Sequence, residues 1–290
     1  RASWDADELS LYGRFDFILA KDGTPKILEF NADTPTSLLE ASVIQWQWKE
    51  DVFPECDQFN GIHEGLVQSW KDIFPKKGEI HFAGALENNE DTGTLQYLAS
   101  TAMEAGFSTR VLDMQALDLQ NGRFFDPAGE LVNRCFKLYP WEWMVDESPD
   151  GCLAEMEWLE PIWKLVMSNK AILATLYELF PDSPYVLPCY LSRPRSGLFC
   201  KKPVFSREGH NVSVVDIRNW EEHVRIAETE GDYNTGAYVY QEYVEPTVYS
   251  GRYPVIGSWI IGGEAAGIGI RENRMEVTDN LSEFVPHIIG

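Results

Sequence analysis

The chain has 290 residues, 44% of them hydrophobic and 24% charged, and a formal net charge of −22 at pH 7. This length and composition are ordinary for a folded protein with one large domain or two to three lobes. The acidic excess argues against a protein that binds nucleic acid or an anionic membrane surface, because both need a basic face. An acidic groove for a cationic substrate would also give this charge, although solubility alone explains it more simply.

The cysteines and the hydropathy pattern bear on the cellular compartment. Five cysteines are scattered along the chain without a C-x-x-C spacing: Cys56, Cys135, Cys152, Cys189 and Cys200. This odd, unpatterned set is typical of a reducing compartment, and we expect a cytoplasmic protein. No apolar run approaches the roughly 20 residues of a membrane-spanning helix. The sequence starts with Arg1 rather than Met, which is compatible with the loss of a natural N-terminus.

Residues 14–35 predict a β-hairpin near the start of the chain. Phe15–Leu19 and Lys26–Phe30 are apolar, β-prone runs, and turn-forming residues separate them at 21–25. We therefore expect two adjacent antiparallel strands here.

Four polar side chains converge if these two strands pair. Because side chains alternate along a strand, Arg14 and Asp16 share a face of the first strand, and Glu29 and Asn31 share a face of the second. Two carboxylates and an amide oxygen suit a hard cation such as Mg²⁺, and a guanidinium beside them suits a phosphate. The alternative is a surface hairpin whose charges face water. Bulky apolar neighbours on both sides of each carboxylate favour the site, since a carboxylate at the edge of a core is costly unless paired or metal-bound.

Two helices are expected after the hairpin. The first spans residues 34–50, with Thr34 or Ser37 as its cap. The apolar stripe of this helix consists of Leu39, Val43 and Trp46. The second helix spans residues 59–73.

Residues 78–138 predict a separate α/β lobe, half of a doubly wound unit. Its expected elements are a strand over 79–86, a helix over 92–105, a strand over 107–112 and a hairpin with strands at 123–125 and 130–132. Ligands bind beyond the carboxyl ends of the strands in such sheets, and an acidic loop follows the first strand at Glu87–Asp91. This loop either holds a cationic or peptide substrate through Glu87, Glu90 and Asp91 or is an ordinary solvated loop.

The second half of the chain alternates between helical and β-prone stretches. The expected elements are Trp-rich helices within 141–185 (one of them over 165–180), a hairpin over 199–216, a helix over 218–230, a strand over 237–244 and two strands within 254–270.

Pieces of a nucleotide site occur in this half, although a Walker A, G-x-G-x-x-G or G-x-S-x-G sequence is absent. Phosphates need cations and a donor-rich turn, which Lys202 and the segment Ser206–Gly209 supply, with Lys170 as a second cation. Gln241–Val244 ends a strand in the manner of an adenine-binding hinge. Taken singly, such lysines are ordinary surface features, and Arg271 is an ordinary salt-bridge partner. Their ordered combination favours a nucleotide site.

The ordered set of motifs resembles a known family. R-F-D-F, L-E-F-N-A-D-T-P-T-S, S-N-K, K-K-P-V-F-S-R-E-G and G-I-G-I-R-E are together similar to the bacterial glutathionylspermidine synthase family, especially its shorter paralogues described as acid–amine ligases. The resemblance covers nearly the whole chain. It implies an α/β (α+β) architecture, namely a circularly permuted ATP-grasp fold with an inserted doubly wound substrate lobe. The permutation places the metal ligands before the nucleotide-binding lysines.

The resemblance also divides the chain into five parts. These are a first ATP-grasp part with the metal-binding hairpin (1–76), a Rossmann-like substrate lobe (77–140), a helical linker part of the ATP-grasp fold (141–190), a lid subdomain (191–245) and a C-terminal ATP-grasp part (246–290).

Each residue that matches a family motif carries an implied role. The Mg²⁺ ligands are Asp16, Glu29 and Asn31, and the catalytic residues that hold the transferring phosphoryl group are Arg14 and Arg271. The implied ATP-binding residues are Arg14, Lys170, Lys202, Ser206, Arg207, Glu208, Gly209, Gln241, Glu242, Tyr243 and Val244.

The implied reaction is an ATP- and Mg²⁺-dependent carboxylate–amine ligation through an acyl phosphate. The expected small-molecule substrates are a peptide or amino-acid carboxylate and an amine or polyamine. Thr36 and Ser37 stand where the synthases carry a cysteine that helps hold glutathione, so the identity of the acid is left open. Two alternatives also stay open: an ATP-grasp enzyme of non-amide chemistry, and a nucleotide-binding protein without catalysis.

Overall fold

The structure is a computed structural model that describes residues 1–207, 209–226, 229, 236–275 and 282–290. Its strands are β1 (Tyr12–Leu19), β2 (Pro25–Asn31), β3 (Glu79–Gly84), β4 (Ser108–Asp113), β5 (Asp118–Gln120), β6 (Arg123–Phe125), β7 (Leu131–Val132), β8 (Arg134–Leu138), β9 (Glu157–Leu159), β10 (Cys189–Tyr190), β11 (Gly197–Pro203), β12 (Ser213–Arg218), β13 (Glu221–Ile226), β14 (Tyr238–Glu242), β15 (Tyr253–Ile261), β16 (Glu264–Asn273) and β17 (Glu283–Val285).

The α-helices are mostly short. They are α1 (Ala2–Asp5), α2 (Gln45–Val52), α3 (Ile62–Ile73), α4 (Asn89–Glu104), α5 (Trp141–Glu147), α6 (Pro149–Cys152), α7 (Lys164–Ser168) and α8 (Ile172–Leu179). A π-helical turn (Glu40–Ile44) leads into α2, and a 3₁₀ turn (Met114–Ala116) follows β4. Among the described residues, none of the helices combines the length and the apolar character that a membrane span requires.

The N-terminal hairpin lies inside a five-stranded antiparallel sheet with the order β17-β16-β15-β1-β2. Arg14 lies opposite Asn31, and Asp16 lies opposite Glu29, in the pairing of β1 with β2. The predicted hairpin and its shared polar face are therefore confirmed. Because β15 covers the other edge of β1, this face is part of a continuous sheet.

A second antiparallel sheet has the order β10-β14-β11-β12-β13 and contains the predicted hairpin of β11 and β12. The predicted helix over 218–230 is wrong, because β13 pairs antiparallel with β12. Asn219 and Trp220 connect the two strands with φ values of 50° and 70°. Positive φ at both central residues is typical of a type I′ turn. The sequence Asn-Trp is an unusual form of that turn, which is why the hairpin escaped prediction.

A parallel sheet has the order β4-β3-β8-β9, and the two strands and the helix predicted at its start are confirmed. Helix α4 connects β3 to β4 as the crossover of a β-α-β unit. The sheet takes in β9, so it extends beyond residue 140. The carboxyl ends of β3 and β8 meet at one edge, where the chain continues into Ala85 and Tyr139.

The first predicted helix differs from the expectation in its start and its buried face. Helical structure begins at residue 38 rather than 34, and Ser37 has a φ of 64°, outside the extended region of an N-cap. Val43 and Trp46 are 40% and 39% exposed. The buried face consists of Leu38, Ala41, Ser42, Gln45 and Lys49. Sequence periodicity misassigned the stripe because polar side chains face the core: Gln45 donates to Ile268 O (2.8 Å).

Trp70 of α3 joins the first sheet and the parallel sheet in one hydrophobic core. The side chain is fully buried, and its ring packs edge-on against Phe82 at 5.5 Å between centroids. Its indole N–H donates to Thr101 Oγ1 of α4 at 2.9 Å. The indole therefore fills space between the lobes and satisfies its own polar atom.

Trp70→Ala should lower the free energy of unfolding by about 3–5 kcal/mol, because the deletion opens a cavity in the shared core. Urea denaturation followed by circular dichroism measures the change. Trp46→Ala is the matched control on the exposed face of α2 and should cost about 1 kcal/mol or less. Equal losses in the two variants would contradict the assignment of Trp70 to the shared core.

Candidate active site

Asp16 lies between two guanidinium groups on the first sheet. Arg14 donates from Nε to Asp16 Oδ1 (2.6 Å) and from Nη2 to Oδ2 (3.0 Å). Arg271 of β16 donates from Nη2 to the same Oδ2 at 2.7 Å. Burial disfavours the charge on Arg14, but Asp16 outweighs it and raises the pKa of that guanidinium. Arg14 and burial together lower the pKa of Arg271. The arrangement concentrates positive charge around one carboxylate.

A glycine in the neighbouring strand makes room for Arg14. Gly257 of β15 lies opposite Asp16, and a Cβ at this position would meet Arg14 Cδ at 2.7 Å. The aliphatic part of Arg14 can therefore lie across the sheet and direct its guanidinium to Asp16. The Arg14 Nη1 group also donates to the carbonyl oxygen of Thr36.

Glu29 and Asn31 complete the polar face of the hairpin. The amide of Asn31 donates to Asp16 Oδ2 at 3.2 Å and approaches Glu29 Oε1 at 3.4 Å. Lys170 Nζ lies 3.0 Å from Glu29 Oε2. Burial works against the ionised form of Glu29, but Lys170 and Lys202 overcome it and lower the pKa of this carboxyl to about 2. Glu29 is therefore ionised at neutral pH.

Lys170 reaches this site because the predicted helix over 165–180 is interrupted. Helices α7 and α8 end and begin at residues 168 and 172, and the segment between them carries Lys170. Its backbone N–H donates to Val204 O (2.9 Å), and its Nζ donates to Ser206 O (2.7 Å). The break thus directs the lysine towards Glu29 and ties it to the segment after β11.

Lys202 and Gln241 connect the second sheet to β2. Lys202 Nζ donates to Leu28 O (3.0 Å) and to Gln241 Oε1 (2.7 Å). Gln241 Nε2 donates in turn to Ile27 O at 2.9 Å. Both side chains are buried, so the two sheets share a polar seam at β2.

A cleft of about 100 Å³ opens between the two five-stranded sheets. Its lining combines charged groups, namely Asp16, Glu29, Lys170 and Lys202, with the predicted hinge residues Gln241, Glu242, Tyr243 and Val244, and with apolar side chains including Ile18, Leu28, Val214 and Val255. In the hinge, the N–H groups of Glu242 and Tyr243 donate to Pro188 O (2.7 Å) and Leu198 O (3.0 Å). An apolar cleft with cations at one end is the shape and chemistry that a nucleotide needs.

The predicted phosphate-covering loop reaches across to the first sheet and to α5. Arg207 donates to Thr34 Oγ1 and, at 2.6 Å, to Glu142 Oε1, and its guanidinium lies 5.8 Å from the centre of the Trp143 ring. Ser206 contributes its carbonyl to Lys170, and its hydroxyl donates to Pro203 O at 3.5 Å. Glu208 lies outside the described residues.

A larger cavity of about 270 Å³ lies between the hairpin and the parallel sheet. Its lining includes Arg14, Glu29, Asn31, Thr34, Pro35, Thr36, Ser37, Asn88, Glu90, Asp91, Thr94, Tyr139, Trp143, Arg207, Gly209 and Arg271. The predicted substrate residues Thr36, Ser37, Glu90 and Asp91 therefore lie beside the charged cluster. Glu87 is exposed and is not part of this lining. Asn88 instead caps α4 by accepting from the Glu90 N–H at 2.9 Å.

Tyr139 and Trp143 form an aromatic wall that the sequence did not single out. Their rings pack edge-on with centroids 5.5 Å apart, and both line the large cavity. They follow the carboxyl end of β8, at the same sheet edge as Asn88. The rule that places ligands at this edge applies to β8 as well as to β3, so the signal was present.

The donor set of the hairpin fits a hard cation. The carboxylates of Asp16 and Glu29 converge, and the Asn31 side chain bridges them by donating from its NH₂ group. Carboxylate oxygens suit Mg²⁺, and the amide adds a third oxygen ligand when its carbonyl group is turned towards the ion. In the described residues, no group of three or more His, Cys, Asp and Glu side chains has the geometry of a metal site, so a metal here depends on the amide and on the ligand's own oxygens.

Comparison with known proteins assigns the chain to a family. The family model described as "Glutathionylspermidine synthase preATP-grasp" matches residues 1–290. The chain belongs to the glutathionylspermidine synthase family. The resemblance found in the motifs is therefore confirmed.

The relatives of this chain include ligases and synthetases. A Haemophilus influenzae protein named "Putative acid–amine ligase" is 39% identical over 98% of this chain and 76% of its own length. The trypanothione synthetase of Crithidia fasciculata is 28% identical over 98% of this chain, and the bifunctional glutathionylspermidine synthetase/amidase of Escherichia coli is 26% identical over all of it. The chain spans about half the length of these two synthetases. The chain is thus a member of a family of acid–amine ligases.

Solved structures show the same fold at low identity. A structure titled "Putative gamma-glutamylcysteine synthetase" from Methylobacillus flagellatus superposes with a TM-score of 0.67, covering 99% of this chain and 82% of the other, at 10% identity. A glutathione synthetase-like effector from Globodera pallida gives a TM-score of 0.62, covering 100% and 83%, at 11% identity. The mixed α/β fold is therefore that of glutathione synthetase-like proteins.

Glu29→Gln should lower the unfolding free energy of this protein by an amount that depends on pH. The folded pKa of about 2 lies below the ordinary 4.5, so the carboxylate stabilises the fold above pH 4.5 and loses this effect as pH falls towards 2. The difference in unfolding free energy between parent and variant should therefore shrink over that window in denaturant titrations. The exposed pair of Lys21 and Glu245 supplies the control, Glu245→Gln, which should change stability little at any pH. A difference that is constant from pH 7 to pH 3 would contradict the prediction.

Proposed function

We propose that this chain is an ATP- and Mg²⁺-dependent carboxylate–amine ligase that forms an amide through an acyl phosphate. The observation that carries the proposal is that Glu29 and Gly209 border both cavities, so the charged cluster lies where the cleft between the sheets meets the cavity beside the parallel sheet. A phosphoryl group must pass between a nucleotide and an acid at such a junction. We further interpret the fold as a circularly permuted ATP-grasp with an inserted doubly wound lobe, because the cation-binding hairpin precedes Lys170 and Lys202 in the chain.

In the proposed complex, ATP occupies the cleft between the two antiparallel sheets. The backbone of Gln241–Val244 contacts the base, and apolar side chains from both sheets pack against its faces. Lys170 and Lys202 lie at the charged end of the cleft and bind the phosphates. The Gln241 side chain already bonds Lys202 and Ile27 O, so it holds the lysine in place rather than contacting the base.

The acid occupies the cavity beside Arg14 and Arg271, which orient its carboxylate and bind the phosphoryl oxygens. One carboxylate oxygen attacks the γ-phosphorus, the bond to the β-γ bridging oxygen breaks, and ADP leaves. Asp16, Glu29 and Asn31 would hold Mg²⁺, which supplies charge neutralisation at the phosphoryl oxygens when bound. Asp16 keeps the two guanidiniums at one place in the absence of substrate.

The amine enters from the side of the cavity that carries Glu90 and Asp91. Carboxylates there favour a cationic substrate. The ammonium group loses one proton to solvent, and its nitrogen attacks the acyl carbon. The bond from that carbon to the phosphate oxygen breaks, and the departing phosphate takes the second proton from nitrogen. Arg14 and Arg271 bind the departing phosphate. A polyamine would suit the carboxylates of Glu90 and Asp91, and a relative of this chain is named as a glutathionylspermidine synthetase.

Lys202→Ala should lower ADP formation about 100- to 1,000-fold, because a buried cation that contacts the phosphates is lost. Lys201→Ala is the matched control: the adjacent lysine bonds Glu222 at 2.8 Å, away from the cleft, and should retain turnover. Coupled-enzyme detection of ADP measures both rates. Retention of the parent rate in Lys202→Ala, or an equal loss in both variants, would refute the role given to Lys202.

Release of ADP and phosphate with Mg²⁺–ATP should require one acid and one amine together. A panel of glutathione, γ-glutamyl and short acidic peptides against spermidine, putrescine and amino acids tests this, with mass spectrometry of the amide product. Release with the acid alone indicates acyl-phosphate formation without the right amine. ADP formation with a phosphorylated product and no amide would instead identify a non-amide reaction. ATP binding without turnover across the panel would favour a nucleotide-binding protein.

A further inference from the structure

Asp33 lies two residues after Asn31, at the point where β2 ends, and its side chain is almost completely buried. Both carboxylate oxygens are engaged. Lys137 of β8 donates from Nζ to Asp33 Oδ1 at 2.7 Å, and the backbone N–H of Trp141 donates to Oδ2 at 2.8 Å. Lys137 is fully buried and also donates to Tyr139 O at 2.9 Å. A buried ion pair of this kind is strongly constrained, because breaking it leaves an uncompensated charge.

These bonds join two separate parts of the site. On one side, Asp33 continues the strand that carries Glu29 and Asn31. On the other, Lys137 and Trp141 bracket the segment that carries Tyr139 and begins α5. That helix presents Trp143 to the large cavity and Glu142 to Arg207. The Asp33 carboxylate is therefore a buried, direct connection between the charged cluster and the aromatic wall, in addition to the contacts of Arg207 with Thr34 and Glu142.

A second buried ion pair, Glu160 with Lys164, connects the same parts of the chain. Glu160 accepts from the N–H groups of Leu11 and Tyr12 at 3.1 Å each, and Lys164 donates to Tyr12 O (2.9 Å) and Ala32 O (3.1 Å). The indole N–H of Trp141 donates to Glu160 O at 3.0 Å. The ends of both hairpin strands are thus fixed to the segment from β8 to α7, and Asp33 is the member that bonds directly to Lys137 and Trp141 on either side of Tyr139.

We propose that Asp33 is a positioning residue that fixes the spacing between the phosphoryl-transfer cluster and the Tyr139–Trp143 wall. The inference rests on the proposed function. The acid and amine contact the wall while the carboxylate reacts at the cluster, so a shift between the two moves the substrate relative to the phosphoryl group. Asp33 does not line the cleft between the two antiparallel sheets, so binding of the nucleotide base there should be preserved.

Asp33→Asn tests the proposal, because it preserves shape but removes the charge that pairs with Lys137. With the acid–amine pair that the parent turns over, kcat/KM for the acid should fall about 100-fold, the size expected for a misplacement of about 1 Å. The KM for ATP and the calorimetric affinity for Mg²⁺–ADP should stay at the parent values. Hydrogen–deuterium exchange should accelerate at the Trp141 amide, a readout that does not depend on turnover.

Asp126→Asn is the matched control. Asp126 is also buried, accepts from the backbone N–H groups of Ala128 and Glu130 at 2.9 Å, and pairs with Arg110, but it lies at the opposite edge of the parallel sheet. This variant should lose stability and keep the parent kinetic constants.

The outcomes separate this proposal from the proposed function. A parent protein that is silent on every acid–amine pair defeats the proposed function and, with it, the positioning role. An active parent with an unchanged kcat/KM for the acid in Asp33→Asn, or with a comparable rise in the KM for ATP, overturns the positioning role alone. If Asp33→Asn does not fold, the double variant D33N/K137M removes both charges together and avoids an unpaired buried ion. The same kinetic criterion then applies to the double variant.

Discussion

Arg14 and Arg271 lie beside each other in the protein interior, and Asp16 between them is what makes that arrangement stable. Two guanidiniums without an anion would repel each other and would bear the full cost of desolvation. Asp16 accepts three hydrogen bonds from the two guanidiniums and so satisfies part of each, while Arg14 Nη1 donates to the carbonyl oxygen of Thr36. The charge of the cluster stays positive, and an incoming anion can complete what Asp16 only half satisfies.

The rest of the architecture keeps this cluster at the meeting point of three sheets. The first sheet supplies the hairpin, Gly257 provides the space over which Arg14 lies, and the second sheet is fastened to β2 through Lys202 and Gln241. The parallel sheet approaches from the other side with its carboxyl edge. Since β2 is the edge strand of its sheet, its carbonyl groups at Ile27 and Leu28 are available to accept from the second sheet. An edge strand that would otherwise be open is thereby paired with side chains.

The hairpin, the parallel strands and the order of the site residues could be predicted from the sequence, because they follow from local alternation, turn residues and motif spacing. Most of the residues expected at the site do gather around the two cavities. The sequence analysis missed the break that frees Lys170, although Ser168, Asn169 and Lys170 interrupt the apolar pattern there. Asn169 Oδ1 accepts from the Ala171 N–H at 2.8 Å immediately before the next helix, but no glycine or proline marks the break. Only one half of the buried ion pair had a local signal in the sequence. Lys137 lies in the apolar run C-F-K-L, where a lone charge indicates a buried partner, but its partner Asp33 is more than 100 residues away. Long-range pairing of that kind has no local signature.

Glu29 and Gly209 border both cavities, and two cavities with a common border can be inhibited by one molecule that occupies both. Ligands that bind each cavity separately lose translational and rotational freedom twice, whereas a single molecule that spans the common border loses it once. Two weak fragments, one for each cavity, would gain affinity when joined by a linker that fits between Glu29 and Gly209. The linker would have to be short and to carry negative charge, because the passage runs beside the guanidiniums and lysines.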